Sequence, residues 1–198
     1  MKGDVARVIF DVSHDELVGL FGRDRVRRVP WKAAEAAGVR GEALRLLSEV
    51  GLPENDFLSF PGAGGAPAVL RTLPGEGLRG AWSLPADASP WIILGNFEIS
   101  AIVLDVRSGE VHQLAEGVMR PIPLHRDLSS LLHTICRLTL VVQGLPEDYG
   151  DDEELLEGLE GTLEELKGAI AARDPRPFGD EHSEWVEIVT SIGAGMWG

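Results

Sequence analysis

The stretch from Trp91 to Val142 constrains the fold of this chain most. Trp91-Ile92-Ile93-Leu94 is a short apolar run with β-branched residues, and Ile99 to Val106 is another. Arg107-Ser108-Gly109 supplies a turn, and Val111 to Leu114 brings the chain back. Runs this short bounded by turn residues predict buried strands, here the centre of a sheet. A different period follows. Leu128, Leu131, Leu132, Ile135, Leu138, Thr139 and Val142 recur at helical spacing, with Ser130, His133 and Arg137 on the opposite side and Asp127 placed to cap the first turn. A sheet next to a helix of this amphipathicity predicts an α+β arrangement.

The flanking segments supply further helices. Ser13-His14-Asp15-Glu16 reads as a capping box before Leu17, Leu20 and Phe21, with Gly22 ending the helix. Val26 to Val29, before Pro30, reads as an edge strand, and Gly41 to Val50 as a short helix stopped by Gly51-Leu52-Pro53. From Phe60 to Pro90 glycine and proline are dense, which predicts loops and leaves room for a short strand within Ala68 to Leu73. Glu153 to Ala172 predicts a helix with Leu155, Leu159, Leu163, Leu166 and Ile170 on one stripe, and Ser183 to Met196 a last one around Trp185, Ile188, Val189 and Ile192. At 198 residues and 44% hydrophobic content, the chain suits one domain spanning 1–198. Residues 1–39 are its least defined part and 61–90 its loop-rich part.

Charge narrows the function. Of a net −14, residues 147–198 carry −12, with fifteen acids against three bases. Such a surface repels phosphate backbones, which argues against a nucleic-acid ligand and for a basic protein partner. No apolar run is long enough to span a membrane, and the N-terminal residues lack a secretory pattern, so the expected location is the cytoplasm.

Catalytic motifs are weak. Gly62-Ala63-Gly64-Gly65 lacks the lysine and hydroxyl residue of a phosphate loop. The five histidines show no pair spacing suited to a metal, and Cys136 sits within an apolar helical pattern. We therefore expect no catalytic residue, no metal and no cofactor. A hydrolase built from the C-terminal carboxylates would need a deep pocket holding a perturbed carboxyl group.

The acidic run is the most unusual feature. Asp148, Tyr149, Asp151, Asp152, Glu153 and Glu154 lead into Glu157, Glu160 and Glu164 on one helix face. Acids in the first turn gain about 0.3 to 1 kcal/mol each from the helix dipole. Beyond that turn, Glu153 with Glu157 and Glu160 with Glu164 are like-charge pairs four residues apart, each costing roughly 0.2 to 0.5 kcal/mol. Helix stability does not account for the stripe. Solubility and partner binding both do, and Tyr149 amid the acids suits an interface anchor.

Four segments resemble the SUKH superfamily of bacterial immunity proteins, most closely its fourth subfamily. They are Leu47-Ser48-Glu49-Val50-Gly51-Leu52-Pro53; Leu94-Gly95-Asn96 through the hairpin Ile102 to Val111; Asp127-Leu128-Ser129-Ser130-Leu131-Leu132; and Arg173-Asp174-Pro175 through Trp185 to Met196. The resemblance covers residues 40–198, and within it His125 stands for the usual Asn, Asp127 for Ser and Leu131 for an aromatic residue. It implies an α+β domain with a curved, mainly antiparallel sheet packed against helices. It also implies a surface that binds the catalytic domain of a cognate polymorphic toxin, a nuclease or nucleic-acid deaminase with a basic surface. The acidic residues named above are then candidates for the toxin interface. The alternative is a regulatory or scaffolding module of the same fold without a toxin partner.

Overall fold

Alternation along the predicted strands decides which side of the sheet meets the helices. The computed structural model describes residues 8–60, 70–73 and 91–197, and its larger sheet runs β3 (Arg71–Thr72), β4 (Ile92–Asn96), β5 (Ser100–Leu104), β6 (Val111–Ala115) and β7 (Ile122–His125) in that order. Every pairing is antiparallel, and β5 is central, as the apolar runs predict. Ile92, Leu94, Ile102, Leu104, Val111 and Leu124 join the main core, while Trp91, Val103 and Leu114 form a small cluster on the other face. That division follows the two-residue pleat. Register shifts between Ile93 and Gly95 and between Val111 and His112 are bulges of the kind that bend a sheet. At the first, the backbone of Ser59 packs so close to Gly95 that a Cβ there would collide with the Ser59 carbonyl.

Strand β7 goes beyond the sequence reading, which assigned nothing between Leu114 and Asp127. Only four residues long and interrupted by Pro123, it carries little β signal, and it lies at the sheet edge, where a proline's missing N–H is tolerated.

The helices form mainly where periodicity places them. Helix α1 (His14–Phe21) is capped by the Ser13 hydroxyl, which accepts from the Glu16 amide at 3.2 Å, and ends at Gly22 with φ 88°. Short α2 (Trp31–Ala36) follows, then α3 (Gly41–Arg45), which continues as a single π turn over Leu46–Val50. The Val26 to Val29 strand shrinks to β1 (Val26–Arg27), paired with β2 (Leu52–Pro53) in a separate two-stranded sheet. The Gly/Pro-rich expectation for residues 61–90 falls mostly outside the described residues, which retain only β3 and its neighbours.

Helix α4 (Leu128–Gln143) is the most buried, capped by Asp127, whose Oδ1 accepts from the Ser130 amide at 2.9 Å. The same carboxylate accepts from the Ile9 amide, and the Ser129 hydroxyl accepts from the Phe10 amide, so residues 9 and 10 are tied to the start of α4. Helices α5 (Glu153–Ala171) and α6 (Glu184–Gly193) complete the helical side. Buried Gln113 on β6 clamps α6: its side-chain oxygen accepts from the Glu184 amide at 3.0 Å and its nitrogen donates to the His182 carbonyl at 3.1 Å. A sheet residue thus does the work of a cap, while the Ser183 hydroxyl turns away to the Pro177 carbonyl. Among the described residues, no helix is long and apolar enough to cross a membrane.

Candidate functional site

Three polar features stand out against this frame: a buried seam, the acidic run and an acidic cleft.

In the seam, His125, Ser130, Asp174 and Trp185 are all fully buried. The indole N–H of Trp185 is a donor only, and it donates to His125 Nε2 at 2.9 Å. The neutral ring therefore carries its proton on Nδ1, which donates to the Ser130 hydroxyl at 3.0 Å. Protonating Nε2 would set two donors face to face, and burial together with nearby Arg176 holds this imidazole well below its ordinary pKa of 6.5. Asp174 lies 3.9 Å from Nδ1, beyond hydrogen-bond range, and its oxygens accept instead from the Arg126 and Arg176 amides at 2.8 and 3.2 Å. The seam is thus a satisfied structural network.

Of the side chains that the sequence reading placed opposite the leucines of α4, Ser130 is buried and His133 is half-buried. Ser130 is fully buried by its bond to His125, and His133 stacks on Phe10 with ring centroids 4.0 Å apart. The Arg173 guanidinium also lies over that Phe10 ring, 4.5 Å from its centroid. Helical periodicity could not anticipate either partner: Phe10 lies far away in the chain, and His125, five residues before Ser130, belongs to β7 and not to the helix. Cys136 is buried as expected, and burial pushes its thiol up to about 12, so it remains protonated at neutral pH.

The acidic run is brought together as its spacing predicts, with one correction. Asp148, Asp151, Asp152, Glu153, Glu154, Glu157, Glu160 and Glu164 are exposed. Asp152 also caps α5, accepting from the Leu155 amide at 3.0 Å. Along the helix, Leu159, Leu163, Leu166 and Ile170 are buried, and Lys167, the one base in α5, pairs with Glu164 at 2.6 Å. Tyr149 is the correction. At 5% exposure it belongs to the core, and its hydroxyl donates to the Trp197 carbonyl at 3.1 Å while accepting from the Trp197 amide at 3.2 Å. It anchors the acidic turn to the end of the chain and is not available as an aromatic interface anchor. Gly150 and Gly195 reinforce that junction, since a Cβ on either would lie 2.5 Å from the other residue's backbone.

The cleft escaped the sequence reading. It lies between α6 and the β4–β5 turn, where Glu184 is buried and accepts from the Ser100 hydroxyl and the Ile99 amide. Burial raises its carboxyl pKa. A hydrolase drawn from the C-terminal carboxylates would place its perturbed group in the acidic run. Glu184 lies outside that run, and its bonds are internal to the fold. Among the described residues, no group of three or more His, Cys, Asp or Glu side chains is arranged to hold a metal ion.

These features describe an α+β protein whose most developed outward surfaces are anionic. The chain belongs to the SUKH-4 immunity protein family, whose model matches residues 12–191. No curated protein and no solved structure matches it.

Proposed function

We propose that this protein neutralises a cognate polymorphic toxin, a nuclease or nucleic-acid deaminase, by direct contact and without catalysis of its own. Membership of an immunity-protein family supports the role, and the exposed glutamates of α5 carry the proposed mechanism. Six glutamates on that helix face one lysine, and the pairs Glu153–Glu157 and Glu160–Glu164 work against the helix that bears them. A basic toxin surface offsets that repulsion. Complementary charge raises association rates by about 10 to 10³-fold and covers the face a toxin needs for nucleic acid.

The test is co-expression with the toxin domain encoded beside this gene, followed by co-purification. Protection of the host and a stable complex are expected; a toxin that still kills and does not co-purify refutes the role. Within a working pair, the triple change Glu157→Lys, Glu160→Lys and Glu164→Lys slows association by about tenfold or more and flattens its salt dependence. Unchanged stopped-flow kinetics would remove the α5 face from the interface.

A further inference from the structure

The cleft beside α6 has a volume of about 390 Å³, and its position reflects the fold. The β4–β5 turn carries Glu98 and Ile99 to one lip, α6 presents Glu187 along the other, and the half-buried Trp197, backed by the buried Phe57, contributes aromatic surface. Those two rings are tilted against each other with centroids 5.2 Å apart. Ile99, which the sequence reading placed in a buried strand run, is 68% exposed on the lip.

The lining contains carboxylates and apolar groups but no lysine or arginine. Among the described residues neither Glu98 nor Glu187 has a salt-bridge partner, and both act on Glu184 as like charges. Asp56, also in the lining, has Arg25 at 3.9 Å on an exposed flank. The site therefore combines uncompensated negative charge with aromatic and aliphatic walls. A guanidinium matches both properties: it is planar, weakly hydrated, stacks on aromatic faces and pairs with carboxylates through several donors. Lysine's strongly hydrated ammonium fits the walls less well. The cleft is also joined to the acidic run, because Trp197 is held through both backbone polar groups by Tyr149.

We propose that this cleft seats an arginine side chain of the toxin, with Glu98 and Glu187 pairing to the guanidinium, the half-buried Trp197 ring offering one aromatic face to its plane, and Ile99 packing on the neighbouring apolar surface. The proposal rests on the immunity reading and assigns the interface a second part. The α5 face speeds approach, and the cleft holds the partner once it has arrived.

The experiment measures binding of the full chain to the neighbouring toxin domain by surface plasmon resonance. Glu98→Lys with Glu187→Lys, and separately Ile99→Ser, are compared with the wild type; all three positions are exposed, and thermal melts check that the variants fold. The expected result is a dissociation constant raised about 10- to 100-fold, mostly through faster dissociation. Wild-type affinity in both variants overturns the cleft while leaving the immunity reading intact, whereas a wild-type chain that does not bind the toxin overturns both. As a second probe, the isotopically labelled wild-type chain is titrated with acetyl-Gly-Leu-Arg-Leu-Gly-amide and with its citrulline counterpart, which keeps the shape and loses the charge. Shifts at the Trp197 indole and the Ile99 and Glu187 amides from the arginine peptide alone support the assignment. Equal responses to both peptides, or shifts confined to α5, refute it.

Discussion

Helices α4 and α5 are neighbours in sequence and opposites in construction. Ten residues of α4 are buried, including Ser129, Ser130, Thr134 and Thr139, and the first three of these polar residues make bonds that serve the fold. Ser130 orients His125, Ser129 holds the Phe10 amide, and the Thr134 hydroxyl bonds back to the Ser130 carbonyl at 2.9 Å. Helix α5 buries four residues and leaves its glutamates in solvent. Polar groups that determine the structure are thus sequestered in one helix, and polar groups that the structure does not require line the other. The second set is free to serve a partner.

Three stability measurements sharpen or break this contrast. The largest effect is expected at the seam beneath α4. Trp185→Ala removes a fully buried indole packed edge-on against Phe97 at 5.1 Å and leaves His125 Nε2 without its donor. A loss of about 3 to 5 kcal/mol follows from the truncation alone, measured by urea denaturation; a loss under about 1 kcal/mol would show that the seam does not support the fold.

Acid should expose the same seam. His125 resists protonation when folded, so the unfolded chain binds the extra proton once the pH falls below its ordinary value of 6.5. Stability contributed by the neutral ring is complete above pH 6.5 and declines as pH falls toward the folded pKa, by about 1.4 kcal/mol per pH unit at most for one proton. His133, which burial and neighbouring Arg137 and Arg173 lower to about 4, acts in the same direction from a half-buried position. Replacing His125 with Gln should flatten the pH dependence of the melting midpoint between pH 6.5 and 5, and an unaltered slope would locate the acid sensitivity elsewhere.

The smallest effect belongs to α5. Glu157→Gln relieves the repulsion from Glu153 and should raise stability by roughly 0.2 to 0.5 kcal/mol, measured by thermal melts at low salt. A clear loss would mean that the acidic face supports the fold after all.

The same contrast explains what could be read from the sequence. The central hairpin, the core helix and the apolar stripe of α5 were legible because each is a local period matched to one geometry. The exposed glutamates were legible for the same reason. Tyr149 and His133 were misplaced because their partners, Trp197 and Phe10, come from distant segments, and Ser130 because its partner His125 belongs to β7, whose β signal is weak. The cleft was hidden more deeply, since Phe57, Glu98, Glu187 and Trp197 come from four separate stretches of chain. A signal was available in Gly95-Asn96 ahead of Phe97-Glu98: turn formers followed by an acid mark the hairpin's bend there, which would have put Ile99 at a tip and not in a buried run.

The Gln113 clamp bears on how the molecule assembles. Helix α6 has ten residues, fewer than the roughly 12 to 15 at which an isolated helix becomes even marginally stable in water. Its first amide, on Glu184, donates a hydrogen bond to a side-chain oxygen 71 positions earlier. The stability of this helix therefore draws on a long-range contact with β6. During synthesis from the N-terminus, that strand is made well before Glu184 and Trp185 arrive. The order of translation supplies the template before the segment that needs it.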